Sequence, residues 1–275
     1  MGYIDCHVHV WTDDLARYPL APGFTRAQMN PPVFTPEDIL GHAEPCGVDR
    51  VVLVQMSYYG TDNSYLLDTM RRFPSVFGGI AVIDEAAGDV TDEMDRLGAE
   101  GVRGFRIAPP QSPADAWLDQ PGYHRMFAHA AHSRQALCCL INPDALPALD
   151  RMCVAYPDTP IVIDHLCRLG MDGEIRAPEV AALCAMARHA QVKVKVSAFY
   201  ALGHKRPPHD ELLPLIQLVY EAFGPHRVMW ASDCPFQVQR ETYEDGLALV
   251  RDRLEVTSAD DREWLLGRTA AETFF

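Results

Sequence analysis

The sequence predicts a closed eight-stranded α/β barrel, a (β/α)8 TIM barrel, built as one domain over residues 1–275. Three observations predict it. Short apolar runs rich in β-branched residues recur eight times, a helical pattern follows each, and the first run is not followed by a glycine-rich phosphate turn. That missing turn weighs against a doubly wound open sheet. The first strand is read at 3–9 (YIDCHVH), and a helix at 36–46 opens on the capping signal Thr35-Pro36-Glu37-Asp38. Strands at 50–55 (RVVLVQ), 76–83 (VFGGIAVI) and 102–107 (VRGFRI) alternate with helices at 62–73, 89–99 and 121–133. A strand at 136–141 (ALCCLI) leads through Asn142-Pro143-Asp144 to a helix at 144–155. Strands at 161–165, 192–197 and 228–233 are followed by helices at 177–190, 209–223 and 240–254, and a last helix at 258–267 opens on Ser258. Gly47, Gly101 and Gly224 fall where helices must stop before the next strand. The connection 10–34 is long, has prolines at 19, 22, 31 and 32, and lacks helical periodicity; it is expected to lie over the barrel mouth as a lid.

Composition narrows the classes of function. Hydrophobic residues make up 48% and charged residues 23%, as in ordinary globular enzymes. No run approaches the ~18 apolar residues of a membrane span, and no basic segment with an apolar run opens the chain, so a cytoplasmic location is expected. A formal charge of −14 argues against nucleic acid and anionic membrane as partners, since both would be repelled. A small anionic substrate stays open, because a few arginines reverse the field inside a cleft. The eight cysteines form no CxxC pair and lie mostly in apolar runs, which reads as reduced, buried thiols.

Active sites of such barrels lie at the C-terminal strand ends. The first strand ends in His7-Val8-His9, and alternation places His7, His9 and Asp5 on one face. The sixth ends in Asp164-His165, the eighth in Ser232-Asp233 before Cys234-Pro235, and the seventh turns Lys193, Lys195 and Ser197 inward. So many ionisable groups at one mouth need ligands, a metal or one another. Arg106 points inward by alternation and can pair with a substrate carboxylate or close an internal ion pair; Arg168 follows His165 with the same options. Gln55 ends the second strand, Tyr58 and Asn63 follow it and Tyr200 follows the seventh; they can bind substrate or pack and cap. An anionic or polyhydroxylated small molecule is the expected ligand.

The stretches IDCHVHVW, RYPL (17–20), VVLVQMSYYGTDNSYLL (51–67), GFRI (104–107), VIDHLCR (162–168), VKVSAFY (194–200) and MWASDCPF (229–236) together resemble the amidohydrolase superfamily. The resemblance is to the amidohydrolase 2 branch, with its sugar-acid lactonases and 2-pyrone-4,6-dicarboxylate lactonase. It implies that His7, His9 and Asp233 are candidate ligands of one divalent metal, zinc or manganese, and that Asp233 and His165 are catalytic. The fifth strand offers Leu140, Ile141 and Asn142 where metal-dependent relatives carry a histidine, so the histidines polarise a carbonyl either through a metal or directly. The expected reaction is hydrolysis of a lactone by water that Asp233 activates. The alternative within the superfamily is a metal-dependent decarboxylase acting on an aromatic or muconate-type acid, and the missing histidine counts against it.

Overall fold

The computed structural model describes residues 2–109, 116–255 and 258–275. Its strands are β1 (Tyr3–Val8), β2 (Val48–Val54), β3 (Phe77–Ala81), β4 (Val102–Ile107), β5 (Ala136–Cys139), β6 (Ile161–Ile163), β7 (Val192–Val196) and β8 (Val228–Trp230). They form one parallel sheet in sequence order, as the (β/α)8 reading requires. The ends meet: His9 N donates to the Cys234 carbonyl at 2.8 Å, and Asp233 N donates to the His7 carbonyl at 3.0 Å. Around it lie α1 (Pro36–Ala43), α2 (Ser64–Arg72), α3 (Val90–Ala99), α4 (Pro121–Ser133), α5 (Leu146–Ala155), α6 (Ala177–Ala185), α7 (Leu213–Phe223) and α8 (Tyr243–Ala248). The chain closes with α9 (Ala259–Glu263) and α10 (Thr269–Phe274), joined by a π-helical turn. Thr35 caps α1 as expected, accepting from Asp38 N. Gly47 takes a left-handed φ of 79° just before β2, a conformation that costs a residue with a Cβ about 1–2 kcal/mol. No helix among the described residues is long and apolar enough to cross a membrane.

Alternation sorts the strand residues into two cores. Val51, Leu53 and their counterparts pack outward against the helices, while Val52, Val54, Ile80, Cys138, Val162 and Met229 fill the barrel. Phe274 of α10 joins that interior cluster and stops the N-terminal end. All eight cysteines are free thiols, as composition implied.

Three local departures from regular strand geometry decide what faces the mouth. In β1, Asp5 pairs with Val51 and Val8 with Leu53, so three steps oppose two. The extra residue is a bulge, and it reverses the phase of the strand. Ile4 and Cys6 face the interior below it, whereas His7 and His9 do so above it. Asp5 therefore does not share their face. It points outward and accepts from Ser232 N (2.9 Å), the Tyr243 hydroxyl (2.8 Å) and His7 N (3.2 Å).

β6 and β8 end earlier than the sequence predicts. His165, Leu166, Cys167 and Arg168 all take left-handed φ, between 51° and 56°, and Asp233 stands at 66°. Such backbone costs about 1–2 kcal/mol for each residue with a Cβ. The turn brings Asp164 and its neighbour His165 to the same mouth, which a regular strand cannot do.

The segment 10–34, expected as a lid, is anchored at the rim of the mouth by side-chain contacts. Trp11 pairs with Phe34 in a bridge, its indole donates to the Pro31 carbonyl, and its ring packs on Tyr58 and Phe236. The two cavities at the mouth are lined by residues outside 10–34. Asn30 bonds Tyr58 after β2 and Gln239 after β8, so the segment spans between those two loops.

Candidate active site

The mouth brings His7, His9, His165 and Asp233 together. Asp233 Oδ1 lies 3.6 Å from Nε2 of His7, 3.6 Å from Nε2 of His9 and 3.9 Å from Nε2 of His165. The two nitrogens of His7 and His9 are themselves 3.3 Å apart. Each ring is aimed from behind. His9 Nδ1 stands 2.8 Å from the Val54 carbonyl, an acceptor only, so Nδ1 carries the proton and the Nε2 lone pair faces the site. His165 Nδ1 bonds Ser197 Oγ at 2.8 Å.

His7 sits on a buried charge network. Asp164, fully buried, takes Lys195 Nζ at 3.0 Å, Arg106 Nη2 at 3.1 Å and lies 3.5 Å from His7 Nδ1. Arg106 Nη2 also reaches His7 Nε2 at 2.7 Å. A guanidinium can only donate, so Nε2 accepts and the His7 proton is on Nδ1, facing Asp164. Lys195 Nζ approaches both members of that pair, 3.2 Å from His7 Nδ1 and 3.0 Å from Asp164 Oδ1.

The electrostatics follow from these contacts. Burial opposes the charge of Asp164, but Lys195, His7 and Arg106 outweigh it and hold the carboxyl well below its usual range. Burial also opposes the charge of Lys195, and Asp164 more than offsets it. Burial, with Lys195 beside it, drives His7 far below an ordinary histidine, and burial pushes His165 down to about 4. Asp233 is lowered although burial would raise it, chiefly through His165, His9 and His7. Its second oxygen, Oδ2, accepts from the Tyr200 hydroxyl at 2.6 Å, and burial beside Asp233 makes that hydroxyl a still weaker acid.

The other residues singled out from the sequence divide. Arg106 and Arg168 line the mouth, and each keeps a buried Nε with no partner among the described residues. Gln55 lines it too, but its amide nitrogen donates to the Asp62 carbonyl at 2.6 Å and holds the following loop. Tyr58 and Asn63 take the packing and capping option of the two that the sequence leaves open, each bonded to backbone of a neighbouring loop. Tyr58 donates to the Gln28 carbonyl at 2.9 Å, and Asn63 bridges Val82 N and O at 3.0 and 2.8 Å. Both were drawn away by backbone groups of neighbouring loops that need partners. Asp164 and Lys195 are placed at the mouth by strand-end position and by the inward alternation of β7, but sequence alone assigns neither a role in the site.

The donor set can be tested against a metal. Ligands about 2.0–2.1 Å from a tetrahedral ion stand roughly 3.4 Å apart, close to the 3.3 and 3.6 Å separations here. Ring nitrogens of His7 and His165 and a carboxylate oxygen of Asp233 also lie within 4.8 Å of one another. The site is compatible with a divalent metal. Two features limit the fit: Leu140 lines the mouth at the β5 end, and Arg106 already holds the His7 Nε2 lone pair.

The amidohydrolase family model, Amidohydro_2, matches residues 4–275. The chain belongs to the amidohydrolase family. This amidohydrolase is 29% identical over 234 residues to a 4-sulfomuconolactone hydrolase of Rhizobium radiobacter, covering 85% of this chain and 76% of that one. It is 30% identical over 244 residues to an L-fucono-1,5-lactonase of Burkholderia ambifaria, covering 84% and 80%. A solved amidohydrolase structure from Burkholderia multivorans, described with bound zinc, has a TM-score of 0.84 at 22% identity over 99% of both chains, which shows the shared fold.

Proposed function

We propose that this amidohydrolase hydrolyses the ester bond of a small-molecule lactone. The observation that carries the reading is the meeting of three imidazole Nε2 atoms and Asp233 Oδ1, with Oδ2 held by Tyr200. The hydrolytic names of its lactone-acting relatives support it.

In the proposed reaction one carboxylate oxygen of Asp233 is fixed by the Tyr200 donor, and the other orients water. Asp233 takes a proton from that water as its oxygen bonds to the lactone carbonyl carbon. The acyl carbon–ring oxygen bond then breaks, and Asp233 returns the proton to the leaving oxygen, giving a hydroxy acid. The lowered basicity of Asp233 keeps it ionised, and a lactone, as an ester, demands less of a base than an amide. Arg106 supplies the donor for the carbonyl oxygen on which negative charge develops, whereas the Nε2 lone pairs of His7 and His9 suit a metal rather than an oxyanion. His7, His9, His165 and Asp233 would hold a divalent ion, zinc or manganese, which when bound supplies Lewis-acid polarisation of the carbonyl. The free Nε donors of Arg106 and Arg168 support a substrate with an anionic group beside the reacting ring. The decarboxylase alternative is weakened by Leu140, which stands where that chemistry would want another ligand.

The test is a panel of lactones given to the purified protein, with acid release followed at constant pH, beside aromatic acids followed for CO2. Ring opening is expected. Release of CO2 with no lactone opened would refute the reading.

A further inference from the structure

Two cavities at the mouth differ in chemistry. The one above β6–β8, about 350 Å³, holds Asp233, His165, Tyr200 and Arg168. The one above β2–β4, about 540 Å³, holds none of these four. His9, Arg106, Leu140 and Phe236 line both, so they are lobes of one cleft that narrows at those side chains.

The larger lobe is walled by Met56, Ile83, Ile107, Tyr123, Met126 and Phe236. Among the described residues its polar side chains are Gln55, Ser57 and Glu85, with His9 and Arg106 where it meets the other lobe. The Gln55 amide nitrogen is spent on the Gly60 and Asp62 carbonyls, and Glu85 is bonded to the Tyr123 hydroxyl. A polyol placed there would find the Gln55 oxygen, Ser57 and Glu85 on one side and would lose water without replacement against the apolar walls. A second substrate carboxylate would meet the like charge of Glu85. An apolar group loses nothing polar and gains by leaving water.

We propose, resting on the lactonase reading above, that the substrate is a lactone bearing one apolar substituent of aryl or medium-chain alkyl size. The ring lies at Asp233 and His165, and the substituent passes the waist at Leu140 and Phe236 into the β2–β4 lobe. This narrows the expected ligand: an anionic group near Arg106 and Arg168 remains in keeping with it, a polyhydroxylated or dicarboxylate skeleton does not.

The test compares kcat/KM of the purified protein on δ-valerolactone, its phenyl and pentyl derivatives substituted beside the ring oxygen, and gluconolactone of the same ring size. The phenyl or pentyl derivative is expected to be preferred by about tenfold or more, the scale on which apolar pockets discriminate. In Val82→Phe, which narrows the larger lobe, that preference should shrink about tenfold. Equal or faster opening of δ-valerolactone or gluconolactone overturns the substituent assignment while leaving lactone hydrolysis standing. A preference that Val82→Phe leaves unchanged overturns its placement in this lobe. If no lactone is opened at all, the proposed function fails and the inference with it.

Discussion

Replacing Asp164 with asparagine removes the one carboxylate that neutralises Lys195. Both side chains are fully buried. Without that charge, the Lys195 ammonium is left with an uncharged amide oxygen and the Phe274 ring at 5.4 Å. Replacing Lys195 with methionine is milder, because Asp164 retains Arg106 at 3.1 Å and His7 at 3.5 Å. Breaking a buried ion pair from one side costs about 3–5 kcal/mol. Asp164→Asn is placed near the upper end and Lys195→Met near the lower. For a chain of this size about 2–4 °C of Tm accompanies each kcal/mol, so Asp164→Asn should lower Tm by roughly 10–20 °C. Urea unfolding at pH 7, with heat unfolding alongside, measures both variants. A larger loss in Lys195→Met than in Asp164→Asn, or a loss under about 1 kcal/mol in either, would refute this account of the buried network.

Other outcomes follow from the same contacts. His165 is held down to about 4, while an unfolded histidine titrates near 6.5. Its contribution to stability is full above 6.5 and falls as pH drops from 6.5 towards 4, by about 3 kcal/mol; unfolding free energies across that window should flatten in His165→Gln. Tyr200→Phe deletes the donor to Asp233 Oδ2, so kcat on an accepted lactone should fall about tenfold to a hundredfold, the size of one charged hydrogen bond; an unchanged kcat would remove Tyr200 from the mechanism. Arg106→Ala frees the Nε2 of His7, so zinc retained after dialysis, measured by elemental analysis, should rise relative to wild type; an unchanged or lower content would show that Arg106 and a metal do not compete.

Much of this architecture was legible in the sequence because strand runs such as RVVLVQ carry their own punctuation and period. The eight strands and their order, and the meeting of His7, His9, His165 and Asp233, required only that each strand end point to one mouth. The errors arose where backbone geometry broke that period. Asp5 left its expected face because a bulge between Asp5 and Val8 reversed the phase, and no residue type in DCHV announces it. Likewise, alternation admits either Asp164 or His165 to the mouth, and only the left-handed turn that starts at His165 admits both. Sequence leaves Tyr58 and Asn63 open between substrate and structure because the backbone groups of neighbouring loops that they bond are invisible in a one-dimensional pattern. The pairing of Lys195 with Asp164 spans two strands, so alternation could turn the lysine inward without naming its partner.

The central claim is that Asp233 moves the proton in lactone hydrolysis. The most direct measurement is single-turnover ring opening by Asp233→Asn on a lactone the wild type accepts, with ligand affinity measured on the same preparation. Asparagine keeps the shape and cannot take the proton. The account predicts a rate loss of about 10²–10⁴-fold with binding largely retained. A variant that opens the lactone at the wild-type rate would contradict it.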